Sequence, residues 1–157
     1  MSITKTNAMR SLEANGILYN SIEYDISDGE ISGIDVAKKI NKEPERVFKT
    51  LVTQGKTTEL NVFVIPVNTE LNLKKAAQCA GDKSIEMIKS KELLPKTGYV
   101  HGGCSPVGMK KLYPTYIDET AQLFDSIFVS GGKIGVQIEI SPDDLSIITN
   151  AKYFDLT

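Results

Sequence analysis

The sequence holds one histidine, His101, and two cysteines, Cys79 and Cys104. Two cysteines cannot build a disulfide framework, and with a single histidine their spacing does not suit a zinc site. A serine–histidine triad would have to rest on His101 alone. No apolar run approaches the ~20 residues that a membrane-spanning helix needs. The opening segment MSITKTNAMRSLEANG has neither the apolar stretch nor the small-residue cleavage site of a secretory signal, so the cytoplasm is the expected location. Repeats, low-complexity tracts and linkers are also missing, which points to one domain over residues 1–157. The glycine-rich stretch Ser130–Gly135 lacks the Gly-x-x-x-x-Gly-Lys-Ser/Thr spacing, which excludes a P-loop.

What is present is the composition of an ordinary globular protein, 41% hydrophobic and 24% charged. The net charge of −2 is unevenly spread. Residues 74–111 carry eight lysines against Asp82, Glu86 and Glu92, whereas residues 112–157 carry Lys133 and Lys152 against seven acids. A basic middle segment can face phosphates while the remainder stays acidic. Solvated lysines on ordinary helices would give the same pattern.

Helical spacing of Ala8, Met9 and Leu12 predicts a helix over residues 4–15, stopped by Asn15-Gly16. Ile17 to Tyr24 reads as a strand, Asp25–Gly29 as a turn, and Ser32 or Asp35 as the start of a short helix carrying Val36, Ala37 and Ile40. The clearest unit is a hairpin, Val47–Gln54 with Leu60–Val67, in which Pro66 should border its strand. Leu73, Ala76, Ala77 and Ala80 form one helix face ahead of Gly81. Four strands are then expected, at Tyr99-Val100, Thr115–Asp118, Ile127–Ser130 and Val136–Ile140. Ser141-Pro142-Asp143-Asp144 supplies a cap, a proline and two acids for a final helix. Strands joined by short turns between helices predict an α+β fold with a mixed sheet.

Three places invite chemistry. Lys49 lies inside VFKTLV, where alternation puts it on one face with Val47 and Leu51, and Phe48 and Thr50 on the other. If Val47 and Leu51 face the core, the lysine is carried into an interior or a pocket. An edge-strand lysine that discourages aggregation is the structural alternative. The segment Gly102-Gly103-Cys104-Ser105-Pro106 allows backbone amides to approach a carbonyl or phosphate closely, or is simply a tight loop. Cys104 lies near His101 but has no predicted orienting group, which argues against a nucleophile. Cys79, in LKKAAQCAG, reads as a small apolar residue on a buried helix face.

Taken in order, VFKTL, the IPV strand with LNLKKAA, TGYVHGGCSPVGMKK, the PTYID strand, VSGGKIG and the closing AKYFDLT resemble the YbaK/EbsC family of Cys-tRNA(Pro) deacylases. That family is related to the editing insertion of prolyl-tRNA synthetases, and the likeness runs from about residue 8 to the end. It implies a curled mixed sheet, close to a barrel, wrapped by helices, and a pocket for the aminoacylated 3′ end of tRNA. The family lysine corresponds to Lys49, the Gly-x-x-x-Pro loop to Gly102 and Pro106, a first-strand tyrosine to Tyr24, and the glycines of the VSGGK turn to Gly131 and Gly132. Thr50, Gly103, Ser105, Ser130 and Gln137 join these as expected substrate contacts. Some members carry an aspartate at the position of Gln137, so an acid there cannot be essential in this chain. No metal or cofactor is expected.

The chemistry implied is attack of the substrate's own thiol on its ester carbonyl, with a thiolactone and free tRNA as products. Lys49 would anchor the terminal ribose-phosphate or the substrate, and amides around Gly102 and Gly103 would meet the oxyanion. Lys74, Lys75, Lys110 and Lys111 would give loose phosphate contact. Recognition of the tRNA would be borrowed from prolyl-tRNA synthetase as partner. Alternatives at this point are a deacylase for another mischarged tRNA such as Ala-tRNA(Pro), and a non-catalytic regulatory or nucleic-acid-binding protein.

Overall fold

A computed structural model describes residues 4–157 of the chain. The first helix, α1 (Asn7–Ala14), starts where Thr6 accepts the Met9 amide and buries Ala8, Met9 and Leu12. Strand β1 (Asn20–Glu23) is shorter than the predicted Ile17–Tyr24. Ser32 caps α2 (Gly33–Lys39), accepting the Asp35 amide. The hairpin strands are β2 (Phe48–Gly55) and β3 (Leu60–Pro66), with Pro66 at the end of its strand as expected. Helix α3 (Leu73–Ala80) follows, capped by Asn72 and stopped by Gly81 in the left-handed region.

Strand β4 (Ile85–Met87) and helix α4 (Ser90–Thr97) were not legible in the sequence. The remaining strands and helices are β5 (Thr115–Asp118), β6 (Ile127–Lys133), β7 (Val136–Ile140), α5 (Pro142–Thr149) capped by Ser141, and β8 (Lys152–Phe154), with short 3-10 turns at Pro44–Arg46 and Glu119–Leu123. Tyr99-Val100 is not a strand. Tyr99 is buried because its hydroxyl donates to the Val107 carbonyl inside a loop, while Val100 is exposed. Leu73 likewise departs from the expected apolar face: as the first residue of α3 it lies 47% exposed.

The strands make two sheets, β1-β7-β6 and β4-β2-β3-β5-β8. The second is mixed: β4-β2-β3 is antiparallel, and β3-β5-β8 is parallel. A single parallel bridge between Val47 and Phe128 joins β2 to β6. Arg46 braces this junction, its guanidinium donating to the Ser126 carbonyl and lying 5.3 Å from the Phe128 ring centre. The expected curled, barrel-like sheet is therefore divided. Beyond the bridge β2 and β6 part company, and the space between them is the cavity described below.

Register explains what β2 offers to that space. The Val67 amide donates to the Val47 carbonyl at 2.8 Å, so residues 47, 49 and 51 turn their peptide groups toward β3. Phe48, Thr50 and Val52 turn theirs the other way. Val52 meets the Ile88 amide at 3.2 Å, and β4 covers only Thr53–Gly55. The Thr50 peptide group thus lies on an open stretch of strand edge.

Candidate functional site

A cavity of about 480 Å³, within the usual size range of small-molecule sites, lies along this open edge. Its floor is Val47 and the β2 residues Phe48–Val52. One wall comes from Tyr24, Ile31, Ser32 and the start of α2, another from Met87, Ile88, Ser90 and Leu93 around β4 and α4. The loop residues His101, Gly102 and Cys104 and the paired strand residues Ser130 and Gln137 complete it.

Lys49 is, among the described residues, the one Lys, Arg, Asp or Glu in the lining. Among the described residues no carboxylate lies within 4.0 Å of its ammonium group. The Thr50 hydroxyl oxygen and the Gln137 amide oxygen are also buried without a hydrogen-bond partner. A buried polar atom left unpaired costs about 1–3 kcal/mol, so two in one cavity mark places where a ligand's polar groups fit. The Thr50→Val variant should accordingly unfold at equal or higher urea concentration, gaining up to about 1–2 kcal/mol, because it removes an orphaned hydroxyl at constant shape. Its turnover should fall roughly tenfold if that hydroxyl meets the substrate, about 1.4 kcal/mol of transition-state binding. Loss of stability would show that the hydroxyl is already satisfied.

Six of the residues expected in the site line the cavity: Lys49, Tyr24, Thr50, Gly102, Ser130 and Gln137. Gly103, Ser105, Pro106, Gly131 and Gly132 do not. The Gly103 amide donates to the Val100 carbonyl at 3.0 Å, closing a turn, and is unavailable to an oxyanion. A β-carbon on Gly103 would lie 2.8 Å from the Ile134 nitrogen, so this glycine permits its loop to lie flat against the β6–β7 turn. Ser105 is fully buried and its hydroxyl accepts the Val107 amide. Gly131 and Gly132 serve a second close approach. The Gly131 carbonyl accepts the Thr6 hydroxyl, and Gly132, at φ +95°, lies against Tyr99. These glycines position the site from behind rather than forming it.

Cys104 does line the cavity, but burial pushes its thiol up to about 12. At neutral pH it is a protonated apolar wall, not a nucleophile. The expected phosphate contacts are changed as well. Lys75 is held by Asp155 at 2.7 Å, Lys110 donates to the Pro95 carbonyl, and Lys111 lies 4.0 Å from Glu59. Sequence reasoning missed Ile31, Ser32, Met87, Ile88, Ser90 and Leu93, which carry no motif. They come together only because α2 and the β4–α4 segment pack at opposite ends of β2.

The aminoacyl-tRNA editing domain family matches residues 32–147 of the chain. A protein of Enterococcus faecalis, EbsC, whose name proposes a Cys-tRNA(Pro)/Cys-tRNA(Cys) deacylase, is 46% identical over 98% of this chain and 93% of its own length. A proline–tRNA ligase of Thermosipho melanesiensis is 32% identical over 78 residues, half of this chain and 14% of that one. The crystal structure of a protein proposed to be a trans-editing enzyme for prolyl-tRNA synthetase superposes with a TM-score of 0.86 at 24% identity, covering 96% of this chain and 94% of that one. No helix among the described residues is long and apolar enough to cross a membrane. The chain is a member of the aminoacyl-tRNA editing domain family.

Proposed function

We propose that the protein is a free-standing editing deacylase that clears Cys-tRNA(Pro), with Cys-tRNA(Cys) as a second substrate, and that residues 1–157 act as one editing unit. Family membership and the full-length likeness to EbsC support an aminoacyl-ester substrate. The observation that carries the chemistry is the cavity itself, whose described residues supply one unpaired cation, two orphaned polar side-chain atoms, an open strand edge and no carboxylate.

Such a lining holds no protein nucleophile with a partnered base, so the attacking group is the substrate's thiol. The thiol loses its proton, sulfur bonds to the ester carbonyl carbon, and negative charge moves to the carbonyl oxygen. Collapse breaks the carbon–oxygen bond to the ribose, whose oxygen takes up a proton, leaving a four-membered thiolactone and free tRNA. Holding the ester in this conformer is a proximity effect, which supplies up to ~7–11 kcal/mol in favourable cases. Lys49 stabilises the anionic groups of this sequence. Gly102, which lines the cavity at φ +85°, and the Thr50 amide at the open strand edge are the backbone donors for the oxyanion. Ser130 and Gln137 hold the aminoacyl end with Thr50, and Tyr24 closes the cavity at the α2 end.

Selection on this scheme is chemical. Pockets separate near-isosteres by only about 1–3 kcal/mol, so proline and cysteine are poorly distinguished by shape. Proline has no thiol and survives. Prolyl-tRNA synthetase is the partner that presents the tRNA, and its kinship is supported by the partial match to proline–tRNA ligases. The test compares Cys-tRNA(Pro), Ala-tRNA(Pro), Pro-tRNA(Pro) and Cys-tRNA(Cys) as substrates. Loss of the cysteinyl esters alone is expected. Turnover of Ala-tRNA(Pro) would move the substrate, and silence on all four would sink the enzyme reading.

A further inference from the structure

The two end walls of the cavity carry opposite charge. On the α2 side, residues 23–35 hold Glu23, Asp25, Asp28, Glu30 and Asp35 and no lysine or arginine. Lys39 reaches back to this loop at 2.7 Å from Asp28, which neutralises one of the five acids. On the β4–α4 side, residues 83–91 hold Lys83, Lys89 and Lys91 against Glu86 alone. All three lysines are exposed, and among the described residues none has a carboxylate within 4.0 Å. Glu92, in the same turn of α4, is held by Lys96 at 3.3 Å. Lys89 and Lys91 bracket Ser90, which itself lines the cavity.

The walls stand at opposite ends of the floor. Gly33 packs against Val67, which bonds to Val47, whereas Ile88 bonds to Val52. Five residue steps along the strand separate those anchor points, a distance of about 17 Å. A phosphate chain approaching this mouth meets attraction at one end and repulsion at the other, and both act over about a Debye length. We infer that the mouth is directional: a single-stranded RNA 3′ end enters over the β4–α4 lip, its phosphates on Lys89 and Lys91, and is kept off the acidic α2 lip. This rests on the proposed aminoacyl-tRNA substrate but concerns the RNA, not the ester.

The test is binding of an uncharged, fluorescently labelled RNA strand ending in CCA, followed by anisotropy across a salt series. It is independent of turnover. For single strands each neutralised phosphate contributes about 0.7 to the slope of log K against log salt. The double variant Lys89→Glu/Lys91→Glu should therefore lower that slope by about 1.4 and weaken binding more than tenfold at low salt. Arg10→Glu/Lys152→Glu makes the same change in net charge on α1 and β8, which contribute nothing to the cavity lining among the described residues. It should retain the wild-type slope. Equal loss in both double variants, or an unchanged slope in the first, overturns the directional mouth even if cysteinyl esters are still cleaved. Absence of RNA binding by the wild type overturns it too. A lowered slope confined to Lys89→Glu/Lys91→Glu upholds it even if no ester is cleaved.

Discussion

Replacing Lys49 by alanine lowers kcat/KM for Cys-tRNA(Pro) by about 100- to 1000-fold, the range typical of removing one preorganised electrostatic contact. The size of the effect follows from isolation. Among the described residues Lys49 is the one Lys, Arg, Asp or Glu in the cavity lining, so no neighbour takes over its charge. The same isolation protects the fold. With no carboxylate among the described residues within 4.0 Å, deleting the ammonium group strands no counter-ion, and thermal unfolding should stay within about 2 °C of wild type. Lys49→Arg keeps the charge but replaces a compact ammonium by a planar fork, and should recover less than about a tenth of the activity. Steady-state deacylation beside a melting curve reads both quantities. Undiminished turnover in Lys49→Ala would remove this residue from the mechanism.

A cysteinyl ester whose sulfur is methylated is expected to be inert, with a loss of at least about 1000-fold. Effective molarities of well-placed internal nucleophiles reach about 10⁵–10⁸ M, and water at this site would have to compete without a carboxylate or an oriented base to activate it. Among the described residues the cavity lining has no Asp or Glu, the thiol of Cys104 is buried and protonated, and the one imidazole, His101, is exposed and has no side-chain hydrogen bond to orient it. S-methylcysteinyl-tRNA(Pro) retains the α-amino group and the ester, so a failure to react reports the thiol and not recognition provided that it still competes with Cys-tRNA(Pro) for the site. Cleavage at a tenth of the normal rate would instead make water the nucleophile. The protein would remain a deacylase, and the thiolactone route would be wrong.

Much of this architecture is visible in the sequence where local physics and tertiary packing agree. The hairpin from Phe48 to Pro66 follows from alternation and β-branched content, and Ser32 and Ser141 cap their helices by the same hydroxyl chemistry. The β4–α4 segment is different. Three edge residues cannot show a period, and α4 holds Pro95 in a lysine-rich stretch of low hydrophobic contrast. Its cavity-facing residues Ile88 and Leu93 are ordinary apolar side chains until β2 fixes what they face. The glycines misled in a particular way. Gly103, Gly131 and Gly132 were expected at a ligand because glycine permits close approach, but what approaches them is the protein's own chain. Lys49 is legible because charge inside an apolar strand is costly, yet its partners Thr50, Ser130 and Gln137 meet only through the gap between two sheets.

The parallel pairs β3-β5 and β5-β8 set an order of events during synthesis. Parallel neighbours cannot be joined by a tight turn, so β5 gains its outer partner only after α5 has been made and has crossed over. Leu156 then enters the core, completely buried, its amide on Asp118 and its carbonyl on Asn72. Until that moment the growing chain carries β5 as a bare edge, with Thr115 to Asp118 free to recruit a strand from another nascent copy. Such long-range closure is slow to form. The arrival of Lys152–Phe154 and Leu156 is therefore what ends the period in which the β5 edge is open to aggregation.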